Sequence, residues 1–188
     1  AELFGFEKGA DYRILKVSQS QNGIIVYSDL AGKLVDFKID MHGAHWAVLA
    51  AAVLAAADIV GVDIYKVAKK LGEVTPIKGR CQTQKIKTSV GNFILIDDSY
   101  NANPASMRAA IEVLGSFPVS NKGRRIAVLG DMLELGKDAK SFHEALFEML
   151  YKKRIDLVFS TGKNMKSLWS SLPTSMQGGW ASSAEELS

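Results

Sequence analysis

Between Tyr12 and Ile39, apolar side chains alternate with polar ones in three short runs, YRILKVSQ, GIIVYSD and KLVDFKI. Turn-forming stretches, SQNG and LAG, separate them, so this part of the chain predicts an antiparallel β-meander. The pattern then changes period. MHGAHW leads into WAVLAAAVLAAA, Trp46 to Ala57, an Ala-rich apolar stretch that predicts a buried core helix. It is too short for the roughly 20 apolar residues of a membrane span. A second helix is predicted over DIYKVAKKLG, with Asp63 as N-cap and Gly72 as stop signal. EVTPIKGR follows without periodicity, bracketed by Pro76 and Gly79, and reads as a hinge.

Beyond Arg80 the spacing predicts a different organisation. QKIKTSVGNFILIDDS reads as a hairpin turning at Gly91–Asn92, whose apolar second strand runs into two carboxylates. A helix is predicted from Pro104, a good first-turn residue, with Ala109, Ile111, Val113 and Leu114 on its apolar face. RRIAVLG and IDLVFSTG have the continuous apolar character of fully buried strands. AKSFHEALFEMLYKK predicts one amphipathic helix carrying Phe142, Leu146, Met149 and Leu150 at helical spacing. KNMKSLWSSL predicts another helix, GGWASS a short strand, and AEELS the start of a last helix. Strand–helix repetition of this type implies an α/β fold with a mostly parallel sheet and helices on both faces. A domain boundary is expected at the EVTPIKGR hinge, dividing 1–76, the meander with its helices, from 77–188, the strand–helix part.

Composition narrows the class. The 188 residues are 47% hydrophobic and 23% charged, with a net charge of +3. That is an ordinary globular balance, and scattered Lys and Arg give no nucleic-acid footprint. The single cysteine, Cys81, excludes an internal disulfide and fits a reducing, cytoplasmic setting. No signal peptide is legible at the N-terminus. No membrane or nucleic-acid partner is expected.

In parallel sheets, ligands bind beyond the carboxyl ends of the strands. That rule selects Asp97–Ser99, Gly130–Asp131 and Ser160–Gly162. Two adjacent carboxylates at a strand end repel unless a cation, hydroxyls or backbone N–H groups satisfy them. A ribose diol would do so, and Mg²⁺ would too; a turn leading into the helix at Pro104 is the structural alternative. Tyr100, Asn101 and Asn103 add an aromatic plane and two amides to the same segment. VLGDMLELG repeats the arrangement, with Asp131 and Glu134 in a loop, and His143 lies in the next helix. Neither G-x-G-x-x-G nor a phosphate-cradling G-x-x-x-x-G-K-[ST] is present: in STGKN, Leu157 holds the first glycine's place and Asn164 the hydroxyl's. No metal-ligand set is assigned. Asp97, Asp98 and Asp131 with Lys163 also fit a receiver-like, Mg²⁺-dependent phosphoacceptor domain, and a non-catalytic binding module is a third class.

Taken together, KGR at 78–80, DDSYNANPASMRAAIEVL at 97–114 and LGDMLELG at 129–136 resemble the Mur ligase family. The wording SYNANP and GDMLELG is similar to the branch that joins D-Ala-D-Ala to UDP-MurNAc-tripeptide. The resemblance covers most of the chain. It implies the end of a central ATP-binding domain followed by a C-terminal Rossmann-like domain. It implies a soluble, cytoplasmic, monomeric enzyme of peptidoglycan precursor synthesis that uses ATP and Mg²⁺ and forms an acyl phosphate. For matched residues, it implies Arg80 as the catalytic contact to the γ-phosphate. Asp98, Tyr100, Asn101 and His45 would bind the nucleotide, and Asn103, Ser106, Asp131 and Glu134 would lie toward the incoming dipeptide. Where the family commonly shows GxHNxxN, this chain has GAHWAVL, with Trp46 and Leu49 at the two Asn positions. The family's phosphate loop, Mg²⁺ ligands and carbamylated lysine are expected upstream of Ala1, and its final strand beyond Ser188. The chain is therefore expected to be a fragment, inactive alone.

Overall fold

The meander takes the predicted form. β1 (Phe4–Gly5), β2 (Tyr12–Gln19), β3 (Ile24–Leu30) and β4 (Lys33–Ile39) make one sheet in that order, β1 parallel to β2 and the rest antiparallel. The structure is a computed structural model that describes residues 2–20, 22–89, 91–120 and 123–187. Period-two alternation puts Ile14, Ile24, Val26, Leu30, Val35, Phe37 and Ile39 on one buried face. Against that face lie α1 (His45–Ile59) and α2 (Ile64–Leu71). α1 buries Ala47, Ala50, Ala51, Leu54 and Ala55, small side chains that let its backbone approach the sheet. As predicted, Asp63 caps α2, its carboxylate accepting from the Tyr65 and Lys66 amides. Gly72 ends α2 with right-handed φ, so it stops the helix without a left-handed turn.

The edge of this core carries a charge-linked tie. The Tyr12 hydroxyl donates to Asp58 Oδ2 at 3.0 Å, and Lys33 Nζ donates to Oδ1 at 2.8 Å. Lys33, then Tyr12, hold the Asp58 carboxyl below its ordinary range, while burial and then Asp58 push the Tyr12 phenol up. A depressed carboxyl stabilises the fold above its unfolded value, near pH 4, and that contribution disappears as pH falls through the folded value. The gap in urea midpoint between wild type and Asp58→Asn is therefore expected at pH 7 and should close toward pH 2.

The hairpin departs from expectation. β5 (Gln82–Thr88) and β6 (Gly91–Asp97) pair antiparallel, with Thr88 opposite Gly91, so the connection precedes the expected Gly91–Asn92 turn. The sequence pattern of β6 resembles a buried strand, yet Phe93, Ile94 and Leu95 are exposed. The reason is that β5 and β6 pair only with each other among the described residues, leaving no packed layer over them.

The chain folds as two compact units, Ala1–Asp97 and Asp98–Ser188, so the hairpin belongs to the first. The second unit runs α3 (Pro104–Ser116), β7 (Ile126–Gly130), α4 (Ala139–Glu144), α5 (Leu146–Lys152), β8 (Leu157–Thr161), α6 (Met165–Ser171), β9 (Gln177–Ala181) and α7 (Ala184–Leu187). β7, β8 and β9 form a parallel sheet in that order, as the helix-bearing connections require. Val158 is buried among Ile111, Leu146, Leu150, Met165 and Leu168 on one face. Phe159 points to the other, where Gly179 brings Leu187 of α7 close. Helices thus cover both faces. Two expectations change here. The single helix over 139–153 is broken at Ala145 into α4 and α5. β7 is an edge strand with Ile126 and Val128 exposed, not a fully buried one. No helix among the described residues is long and apolar enough to cross a membrane.

Candidate functional site

The segment from Asp98 to Asn103 has no regular structure and ends where α3 begins. Asp98 is half-buried, whereas the Tyr100 ring is 69% exposed. Asn101 Oδ1 accepts from the next residue's amide, Ala102 N, at 2.8 Å. Asn103 is the N-cap of α3: its Oδ1 accepts from Ala105 N and Ser106 N, both at 2.9 Å. Ser106 Oγ accepts in return from Asn103 N at 3.0 Å, completing a capping box. Pro104 fits the first helical position because its missing N–H has no partner to lose there. The segment thus hangs from a fixed helix start, with Asp98 half-buried and the Tyr100 side chain exposed. Replacing Asn103 by Ala is expected to cost about 1 kcal/mol of stability, read from the shift in denaturant midpoint, because two amides lose their acceptor.

The loop after β7 is held more firmly. Asp131 Oδ1 accepts from Met165 N at 2.7 Å, and Oδ2 from Asn164 N at 3.1 Å and Asn164 Nδ2 at 3.2 Å. Both oxygens thus anchor the start of α6. Met132 is buried and Leu135 packs on the same core. Leu133 is left 72% exposed, and Glu134 is exposed with φ of 61°. Glu134 is therefore the carboxylate that this loop presents to solvent.

Arg80 and His45 belong to the first unit. Arg80 is exposed, its backbone amide donating to Ile77 O at 3.0 Å in the turn before β5. Cys81 beside it is buried, its thiol donating to His42 O at 3.5 Å. His45 opens α1 at the surface, its ring 5.2 Å from that of Trp46. Trp46 packs against the first core and Leu49 is half exposed, so no amide stands at either expected Asn position. Asp98, Tyr100, Asn101, Asn103, Ser106, Asp131 and Glu134 all lie in the second unit.

Sequence reasoning missed what fixes the loop. Gly162, with φ of 107°, lies so close that a Cβ there would stand 2.4 Å from the Asp131 carboxyl carbon. His143 is fully buried beneath the loop. The Asn103 cap was missed as well, although N-P-x-S ahead of the predicted helix was a local signal for it, whereas the long-range partners of Asp131 had none.

Three comparisons bear on this arrangement. The family profile described as "Mur ligase, glutamate ligase domain" matches residues 79–187. The UDP-N-acetylmuramoyl-tripeptide–D-alanyl-D-alanine ligase of Rickettsia prowazekii is 30% identical over 184 residues, covering 98% of this chain and 39% of the relative. The Bacillus subtilis ligase of the same name is 36% identical over 162 residues, 86% of this chain and 34% of its own. Among solved structures, MurF of Acinetobacter baumannii superposes with a TM-score of 0.81 at 26% identity, over 97% of this chain and 38% of that one. MurF ligase of Thermotoga maritima in complex with ADP has the same fold, with a TM-score of 0.78 at 24% identity over 98% of this chain and 40% of that one. The chain spans at most about two-fifths of the length of these relatives.

Proposed function

The chain belongs to the Mur ligase family, and from that membership we propose that it is part of an ATP-dependent ligase joining D-Ala-D-Ala to UDP-MurNAc-tripeptide. The observation that carries the proposal is the agreement with the Rickettsia ligase over 98% of the chain, across both units. Residues 1–76 would close a central ATP-binding domain and 77–188 form the C-terminal domain. The tripeptide carboxylate attacks the γ-phosphorus of ATP and ADP leaves. The dipeptide amine then attacks the acyl carbon, and phosphate departs as the amide forms. Such chemistry depends on positioning and charge neutralisation.

The roles follow side-chain chemistry. Arg80 presents a planar, permanently charged fork suited to the γ-phosphate. Asp98 would accept hydrogen bonds from the ribose hydroxyls, and Tyr100, Asn101 and His45 would contact the nucleotide. Glu134 offers a carboxylate to the dipeptide ammonium, while Asn103, Ser106 and Asp131 hold the backbone that presents these groups. Among the described residues no group of three His, Cys, Asp or Glu could hold a metal ion. Mg²⁺ would accompany the ATP phosphates, which together with waters usually supply most of its ligands. The whole protein would act as a cytoplasmic monomer on ATP and a soluble nucleotide-linked peptide.

Incubating the full-length protein with ATP, Mg²⁺, UDP-MurNAc-tripeptide and D-Ala-D-Ala should yield ADP, phosphate and UDP-MurNAc-pentapeptide in equal amounts by mass spectrometry. Addition of a single amino acid in preference to the dipeptide would reject the reading.

A further inference from the structure

We propose that His143 is a positioning residue for the loop that presents Leu133 and Glu134, acting through the Met132 amide. The imidazole is fully buried, and both its nitrogens are engaged. Nδ1 lies 2.6 Å from the Ala139 carbonyl, an acceptor, so Nδ1 carries the proton and donates. Nε2 lies 2.9 Å from Met132 N and accepts from it. These partners fix one neutral tautomer. Asp131 Oδ1 stands 3.9 Å from Nε2, and a polar ring so fully buried is costly unless both bonds are made. A leucine would fill the same space without that requirement, so packing alone does not account for the histidine.

What the ring gains is control of a backbone amide at the first bend of the loop. Asp131 is tied to α6 on one side of that amide. On the other side, Leu135 packs on the core, and Glu134 and Gly136 both have φ of 61°. With Asp131, Met132 and Leu135 held inward, only Leu133 and Glu134 are directed out. Removing the Nε2 acceptor frees a backbone tie that lies between the two fixed points. The consequence for substrate rests on the reading of Glu134 as a contact to the dipeptide ammonium; the tie itself does not.

Two near-isosteres separate the two nitrogens. In H143Q the amide oxygen takes the place of Nε2, whereas in H143N the amide nitrogen takes that of Nδ1 and the acceptor for Met132 is lost. In the full-length protein, hydrogen exchange of the Met132 amide should speed up about tenfold or more in H143N. It should stay within about threefold of wild type in H143Q. KM for D-Ala-D-Ala should rise about tenfold in H143N with kcat and KM for ATP within about twofold, and H143Q should restore it. Equal exchange at Met132 in the two variants would overturn the positioning role. The expected exchange pattern with KM unmoved would retain the tie and overturn its link to the dipeptide. Should either variant fail to fold, imidazole ¹⁵N shifts of the wild-type protein decide: a proton on Nε2 overturns the proposal, and one on Nδ1 upholds it.

Discussion

Gly162→Ala is expected to destabilise the second unit by about 3 kcal/mol or more, seen as a lower thermal or urea midpoint. Two effects combine at this position. The backbone has φ of 107°, which L side chains rarely adopt, and an added Cβ would sit 2.4 to 2.8 Å from the Asp131 carboxyl atoms. Those atoms cannot retreat, because they accept from the Asn164 and Met165 amides that begin α6. Asp131→Ala alone should cost about 2 to 4 kcal/mol, since it leaves those donors without their acceptor. The double variant should be less impaired than the sum, by about 1 kcal/mol or more, because removing the carboxylate also removes the clash. Additive losses would show that the strain at Gly162 is purely one of backbone conformation.

Arg80→Ala should leave the fold intact and lower ligation by the full-length protein about a thousandfold. Arg80 is exposed, so its removal opens no cavity. A guanidinium aimed at transferring phosphate neutralises charge that grows only in the transition state, and such arginines carry large kinetic effects. Arg80→Lys should recover little, because a point charge does not reproduce the planar fork. The loss belongs in kcat, with KM for D-Ala-D-Ala nearly unchanged; a pure KM effect would place Arg80 outside the phosphate site.

Much of the fold was legible because its elements announce themselves locally. The alternation of Ile24, Val26 and Leu30 defines one strand face, and Asp63 marks a helix start by residue type alone. The apolar run Phe93–Ile96 misled because hydrophobicity reports a strand's preference for burial, not whether a layer is available to cover it. The same reasoning explains Val128, apolar but exposed at a sheet edge. Ala145 breaks the expected long helix with a residue that favours helices, so nothing local could signal it. The place of Asp98 and Tyr100 just beyond a strand end was legible from the apolar run that precedes them. Asp131 was noticed as a carboxylate, but its partners lie more than thirty residues away in sequence. They require the β7–β8 pairing to bring them together. The engaged Asp131 also weakens the receiver-like alternative, which needs that carboxylate open to a cation or phosphoryl group.

Transfer of ¹⁸O from the labelled tripeptide carboxylate tests the central claim most directly. With UDP-MurNAc-tripeptide labelled in its terminal carboxylate, ATP and D-Ala-D-Ala, the full-length protein should release one ¹⁸O-labelled phosphate for each amide formed. The ADP should stay unlabelled. Label recovered in AMP, or phosphate that carries none, would contradict an acyl phosphate and with it the proposed role of this chain.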